Sequence, residues 1–139
     1  PYPEEMCAPM RVELTSTGFE EMKTTQEVEN VFNNNEGTLL VFVNSVCGCA
    51  AGSARPGVIM SLNNDAKPDK LTTVFAGQDL EATNSAREYM MPYPPSSPCI
   101  ALFKNGNLVH FVERHEIEGN LKHVIAENLV EAYNKHCKI

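Results

Sequence analysis

No stretch of about 18 apolar residues occurs in the chain, so no helix is expected to span a membrane. The longest apolar run, Leu39 to Val43, has the length of a strand. The first residues, Pro1-Tyr2-Pro3-Glu4-Glu5, are acidic and carry no apolar core, so no signal peptide is expected at this end. Basic charge is scarce: 11 Lys and Arg stand against 18 Asp and Glu, a formal net charge of −7. Without a basic face, the phosphates of a nucleic acid are not an expected partner. Internal repeats and low-complexity tracts are missing. The five cysteines, Cys7, Cys47, Cys49, Cys99 and Cys137, are odd in number and unevenly spaced, which does not read as a disulfide framework. What remains is an ordinary globular composition, with 42% hydrophobic and 21% charged residues. One domain over residues 1–139 is expected, and the thiols are reactive, metal-binding or buried.

Periodicity orders the elements. Met6, Met10 and Leu14 predict an N-terminal helix over about 4–15 that ends at Gly18. Thr24 precedes Glu27 by three residues, a capping-box spacing, and a helix over about 26–34 follows. Thr38–Asn44 is a nearly continuous apolar run of strand length, the pattern of a strand buried on both faces of a sheet. A helix is expected from Cys49 to about Asn63, with Pro56 as a kink or break. Residues 71–75 read as a second strand, and Asp79 as a candidate N-cap for a helix over 80–90. Four prolines between Pro92 and Pro98 force a loop. Strands over 99–104 and 107–112 flank Asn105-Gly106, a strong hairpin signal. Leu121, Val124, Ile125, Leu129, Ala132 and Tyr133 predict a final amphipathic helix over 117–136. A β-α-β unit followed by a hairpin and a helix gives an α/β fold with a central four-stranded mixed sheet, helices on both faces and an extra N-terminal helix.

Cys47-Gly48-Cys49 falls where the buried strand ends and a helix begins. A helix N-terminus offers unpaired N–H groups and the positive end of the helix dipole. Both lower a thiol pKa, and the thiolate is the species that attacks disulfides. Cys47, the more N-terminal sulfur, is the expected nucleophile and Cys49 the expected resolving thiol. Gly48 tolerates the backbone dihedrals that a small Cys-x-Cys ring requires. Such a ring is expected to be strained and easily reduced. The competing readings are two small packing residues, or a Cys-x-Cys metal module. Zinc requires four ligands, and the further candidates (Cys99, Cys7 or Cys137, and the histidines) form no second paired motif. A redox sensor that switches a partner is the third class.

Several blocks carry a resemblance to a known family: Val43 through Gly52, Phe75 through Asp79, Ser96-Ser97-Pro98, and Arg114 through Gly119, together with the run Pro98 through Gly106. In order, and over nearly the whole chain, they resemble the bacilliredoxin family of bacterial, cytoplasmic, thioredoxin-like proteins. The resemblance implies reduction of mixed disulfides between proteins and the low-molecular-weight thiol bacillithiol, with disulfide isomerase activity also associated. Its expected partners are S-thiolated proteins and a bacillithiol-type thiol as co-substrate, with no resident cofactor and no metal. It makes Cys47 the attacking cysteine, Cys49 the candidate resolving cysteine, and Pro98 a cis-proline whose neighbouring backbone pairs with an extended substrate. Cys99 stands where a Ser or Thr is expected, so it is a candidate third thiol that resolves Cys47 in place of Cys49; the competing reading buries it in the core.

The other candidates carry weaker signals. Cys7 and Cys137 lie near the ends and suggest adventitious thiols. His110 is expected half-exposed on the hairpin, and His123 and His136 on a helix surface. His115 or Glu116 is expected to cap the last helix, with His115 a candidate proton carrier. Arg55 is expected either to pair with an acidic neighbour or to meet a carboxylate of the thiol ligand.

Overall fold

A computed structural model of the chain describes residues 1–34 and 36–139. The order of elements is α1 (Glu4–Thr15), β1 (Glu20–Glu21), α2 (Thr25–Asn33), β2 (Thr38–Asn44), a π-helical turn (Ala50–Ala54) running into α3 (Arg55–Ser61), β3 (Lys70–Phe75), α4 (Leu80–Glu88), β4 (Cys99–Lys104), β5 (Asn107–Val112), α5 (Arg114–Ile117) and α6 (Lys122–His136). The strands form one mixed sheet in the order β1-β3-β2-β4-β5. β2 pairs parallel with β3 and antiparallel with β4. All seven of its residues are buried, because helices cover both faces. Leu40, Phe42, Ile100 and Leu102 pack under α1, α3 and α6. Leu39, Val41, Val43, Cys99 and Phe103 pack under α2 and α4. The alternation of these two sets along β2 and β4 is the period of two that a pleated strand imposes.

The expected thioredoxin-like α/β layout is present, with a fifth strand added. β1 is two glutamates with no apolar signal, paired parallel with Thr72 and Thr73. Lys70 meets Glu20 at 3.4 Å and Lys23 meets Glu21 at 3.3 Å, so the edge is short and charged, which discourages pairing with another chain. The hairpin forms as expected: Asn105 (φ 49°) and Gly106 (φ 84°) both take the left-handed conformation of a two-residue turn. The Thr24–Glu27 capping box also forms at the start of α2.

Four local expectations change. The buried stripe of α1 is Cys7, Arg11 and Leu14, not Met6, Met10 and Leu14. Arg11 is drawn in because it pairs with Glu4 and Asp79 and lies 5.0 Å over the Phe75 ring. Cys7, read as adventitious, is fully buried. Asp79 stands at the N-cap position of α4, but its carboxylate goes to Arg11 and makes no cap bond. The expected last helix is two: Glu118 is extended and Gly119 has φ 77°, so α5 stops before α6 begins. Leu121 and Val124, read as core, are exposed as a result.

Pro56 has no N–H for the Gly52 carbonyl, and its ring would strike that oxygen in a regular α-turn. The chain adopts a π-turn just before it, with the Arg55 N–H reaching back to the Ala50 carbonyl. The two-piece helix expected around Pro56 is therefore a wider turn followed by α3. It begins at Gly48 and Cys49, directly beyond the end of β2.

Candidate active site

β2 delivers Asn44 to the edge of the sheet, and Ser45 and Val46 carry the chain to Cys47. Arg55, one helical segment later, is buried to 1% exposure and donates to Asn44 Oδ1 (2.9 Å) and to the Ser45 carbonyl (3.0 Å). Its Nε lies 3.1 Å from Glu13 Oε1, an ion pair without hydrogen-bond alignment. Arg55 thus takes the first of its two expected roles, and burial keeps it from any ligand. Asn44 in turn donates to the Met10 carbonyl. The turn that presents Cys47 is tied to its own helix by buried charge-assisted bonds from Arg55, which are the stronger kind, and to α1 by the neutral Asn44–Met10 bond and the Arg55–Glu13 ion pair.

Cys47 is half-buried and its Sγ accepts two hydrogen bonds, from the Cys49 N–H and from Arg114 Nη2, both at 3.3 Å. The Cys47 thiol is held below its ordinary range. The hydrogen bond from the Cys49 thiol is the main cause, with the backbone N–H groups of Cys49 and Ala50 and the charge of Arg114 adding to it against burial. Cys49 moves the opposite way, pushed up to about 11 by burial and then by the hydrogen bond and charge of Cys47. The pair divides its protons unequally: the sulfur nearer solvent favours the thiolate and the sulfur packed against the core keeps its proton. All five cysteines are free thiols.

Gly48 has ordinary backbone here, and a Cβ built on it meets nothing within 4 Å. The dithiol form places no demand for glycine, so the ring-closure argument concerns the disulfide form alone. Pro98 is buried and the Ser97–Pro98 bond is cis; Met91–Pro92, which carried no signal, is cis as well. The Ser97 carbonyl accepts from Arg114 Nη1 at 3.0 Å, so a substrate strand there meets a carbonyl with one acceptor position in use.

The structure does not bring Cys99 to Cys47 and Cys49. It is fully buried under α2 and α4, on the face of the sheet opposite the one against which Cys49 packs. Burial pushes its thiol up to about 11. Val43 and Cys99 are paired neighbours in the antiparallel ladder and share that face. His115 is exposed, with Nδ1 3.8 Å from a Glu113 carboxylate oxygen. Capping of α5 is done by Glu113 and Glu116. His110 bonds to Asn128. Among the described residues, the group of three potential metal ligands within reach of one another is Glu113, His115 and Glu116, and it contains no cysteine.

Sequence reasoning missed the roles of Arg87 and Arg114. Arg114 comes from α5, 67 residues away in sequence, and is held by Glu118 (2.8 Å) and the Ser97 carbonyl while it points at Cys47. Its only trace in the sequence is its place in the block Arg114 through Gly119. Arg87 and Arg114 are the two charged residues lining a groove of about 320 Å³ beside Cys47, together with Tyr2, Ser45, Gly77 and Ser97.

A family model described as disulphide isomerase matches residues 2–137. A bacilliredoxin from Cytophaga hutchinsonii is 57% identical over 134 residues, which cover 96% of this chain and 98% of that protein. Another, from Halalkalibacterium halodurans, is 54% identical over 137 residues, covering 99% of this chain and 95% of its own length. The chain belongs to the bacilliredoxin family. Solved structures extend the likeness at the level of fold. Mitochondrial thioredoxin 3 from Saccharomyces cerevisiae, in its oxidised form, superposes with a TM-score of 0.57 over 88% of this chain and 98% of its own, at 16% identity. A reduced Schistosoma mansoni thioredoxin pre-protein gives 0.54 over 81% and 95%. As a bacilliredoxin-family protein on a thioredoxin fold, the chain is a thiol–disulfide oxidoreductase.

Proposed function

We propose that this protein strips low-molecular-weight thiol caps from cytoplasmic proteins, with bacillithiol as the physiological cap, Cys47 as nucleophile and Cys49 as resolving thiol. The observation that carries this reading is the Cys47 sulfur, held toward its thiolate first by the Cys49 thiol and then by the Cys49 N–H and the charge of Arg114, at the mouth of a groove of small-molecule size.

In the first step the Cys47 thiolate attacks the cap sulfur of a protein mixed disulfide. A new disulfide joins Cys47 to the cap, and the substrate cysteine leaves as a thiolate that takes a proton from water. In the second step Cys49 attacks Cys47 Sγ. The Cys47–Cys49 disulfide forms, the cap leaves as a thiol carrying the Cys49 proton, and the dithiol has supplied two electrons. Cys49 is poorly suited to attack while Cys47 is charged, because that charge helps hold its proton. Capping Cys47 removes the charge, so one cause of the raised Cys49 pKa disappears when Cys49 is needed. Alternatively a second cap thiolate attacks the cap sulfur, releasing the cap as its own disulfide and returning Cys47 to thiolate. The electrons travel through sulfur, so the reading requires a thiol co-substrate and no resident cofactor. The same attack on a non-native protein disulfide would give isomerase activity. Burial of Cys99 on the far face supports Cys49 as the resolving thiol.

A Cys49→Ser variant incubated with a bacillithiol-capped protein should accumulate one adduct of the cap's mass on Cys47, resolved by mass spectrometry. The wild-type protein should instead show an internal disulfide and free cap. Absence of any adduct with bacillithiol, glutathione or cysteine caps would end the de-thiolation reading.

A further inference from the structure

The sequence contains four arginines, and three of them are neutralised by carboxylates: Arg11 by Glu4 and Asp79, Arg55 by Glu13, and Arg114 by Glu118. Among the described residues, no carboxylate lies within ion-pair distance of Arg87. Its guanidinium is half-buried in the last turn of α4, with Nη1 donating to the Ser96 carbonyl at 2.9 Å, and it lines the Cys47 groove. In a chain of net charge −7, a groove lined by two arginines, one of them without a carboxylate partner among the described residues, is locally less negative than the rest of the molecule.

We infer that Arg87 is a specificity-determining residue that binds a carboxylate on the small thiol cap while the cap sulfur meets Cys47. The inference rests on the de-thiolation reading and deepens it by naming the residue that would receive the cap's acidic group. The guanidinium presents its donors in a planar fork matched to a carboxylate. One Nη1 donor is spent on Ser96 and the guanidinium also reaches the buried Cys99 thiol, which together fix its plane; no carboxylate among the described residues takes its remaining donors. Arg114 is spent differently: Glu118, Ser97 and Cys47 occupy its donors, so it holds the sulfur and leaves recognition to Arg87. The groove is closed on one side by Tyr2, whose ring lies over Gly77 and whose backbone N–H donates to Gln78 Oε1 at 2.8 Å. A volume of about 320 Å³ suits a small molecule, at the lower end of ligand pockets, rather than a protein surface.

Alkylation of Cys47 by iodoacetate and by iodoacetamide tests this without turnover. The reagents are nearly the same size and differ in charge, so the ratio of their rates cancels the thiolate fraction. At low salt, Arg87→Gln should lower the iodoacetate-to-iodoacetamide ratio about three- to tenfold, and Arg87→Lys should retain part of it. The wild-type preference should shrink with added salt. With turnover, Arg87→Gln should raise KM about tenfold more for removal of a glutathione cap than for removal of a 2-mercaptoethanol cap from the same protein. An unchanged alkylation ratio in a folded Arg87→Gln protein overturns the inference. So does an equal fall with both reagents, which would show that Arg87 only supports the loop. A charge preference that follows acidic residues of the substrate protein, rather than the cap, also overturns it. If the wild-type protein removes no cap of any kind, the de-thiolation reading fails, while the alkylation ratio still decides whether Arg87 recognises anions.

Discussion

At Gly57 α3 meets α6 with no room for a side chain, and Gly57→Ala sets two effects of opposite sign against each other. A Cβ at this position falls 2.9 Å from Ile125 Cβ, 2.9 Å from Ile125 Cγ2 and 2.9 Å from the Lys122 carbonyl oxygen. Ordinary contact between such atoms is about 3.5–4.0 Å, so the helices must part by roughly 0.5–1 Å. Ile125 is β-branched and stiff at χ1, and the oxygen is backbone in the first turn of α6, so neither yields by rotation. Overpacking of this kind costs about 1–3 kcal/mol. With two rigid neighbours the upper half of that range applies, while Ala in place of Gly inside a helix returns about 1 kcal/mol. The net expectation is a loss of about 1–2 kcal/mol, or roughly 3–7 °C in Tm for a chain of this length. Thermal unfolding under reducing conditions at pH 7 measures it. Gly52→Ala is the control, because a Cβ there meets nothing within 4 Å and should leave stability within about 0.5 kcal/mol or raise it. Equal melting temperatures for the two variants would refute the close-contact argument, since propensity alone would then govern both sites.

Replacing Arg114 with Gln removes the charge 3.3 Å from Cys47 Sγ, so the midpoint of iodoacetamide labelling of Cys47 should move to higher pH; an unmoved midpoint would show that the Cys49 thiol and the helix N–H groups suffice. Cys99 sets an alkaline limit on the fold. Its thiol is pushed up to about 11 from a reference of 9.0, so the folded state binds its proton more tightly. The stability this contributes is complete below the unfolded pKa and is lost as pH rises toward about 11, an amount on the order of 3 kcal/mol from this thiol alone. Cys49 acts in the same direction, while Cys47, with its lowered pKa, contributes stability that is lost as pH falls. Urea unfolding between pH 8 and 11 should show a falling free energy whose slope is reduced in Cys99→Ala; an identical slope in that variant would remove Cys99 as the source.

Much of this molecule is legible in one dimension because its signals are local. The unbroken apolar run of Thr38–Asn44 requires a strand covered on both sides, and it is the central strand. The Thr24–Glu27 spacing and Asn105-Gly106 each name a backbone geometry that a few residues enforce by themselves. Cys47-Gly48-Cys49 is marked as reactive by its place between a buried strand and a helix start, where N–H groups are unpaired. The features that escaped depend on distant partners. Arg11 looks like a surface residue until Glu4 and Asp79 close around it, and that burial also turns α1 by one position and takes Asp79 from its capping role. Two glutamates become a strand only because Thr72 and Thr73 offer an open edge.

At the reactive site the division is the same. The sequence alone pointed to Cys47 and Cys49 and to a lowered pKa at the first of them, since the Cys49 thiol and the helix N–H groups that act on Cys47 come from neighbouring residues. The tertiary structure decided everything that acts on those sulfurs from outside. It brings Arg114 from 67 residues away to Cys47 and leaves Arg87 facing the same groove without a carboxylate. It also sends Cys99 to the opposite face of the sheet, a matter of register in which a one-residue slip would have reversed its direction. Charge and pleat direction are long-range properties of the packed chain, because a side chain's partners are fixed only when strands and helices from distant segments meet.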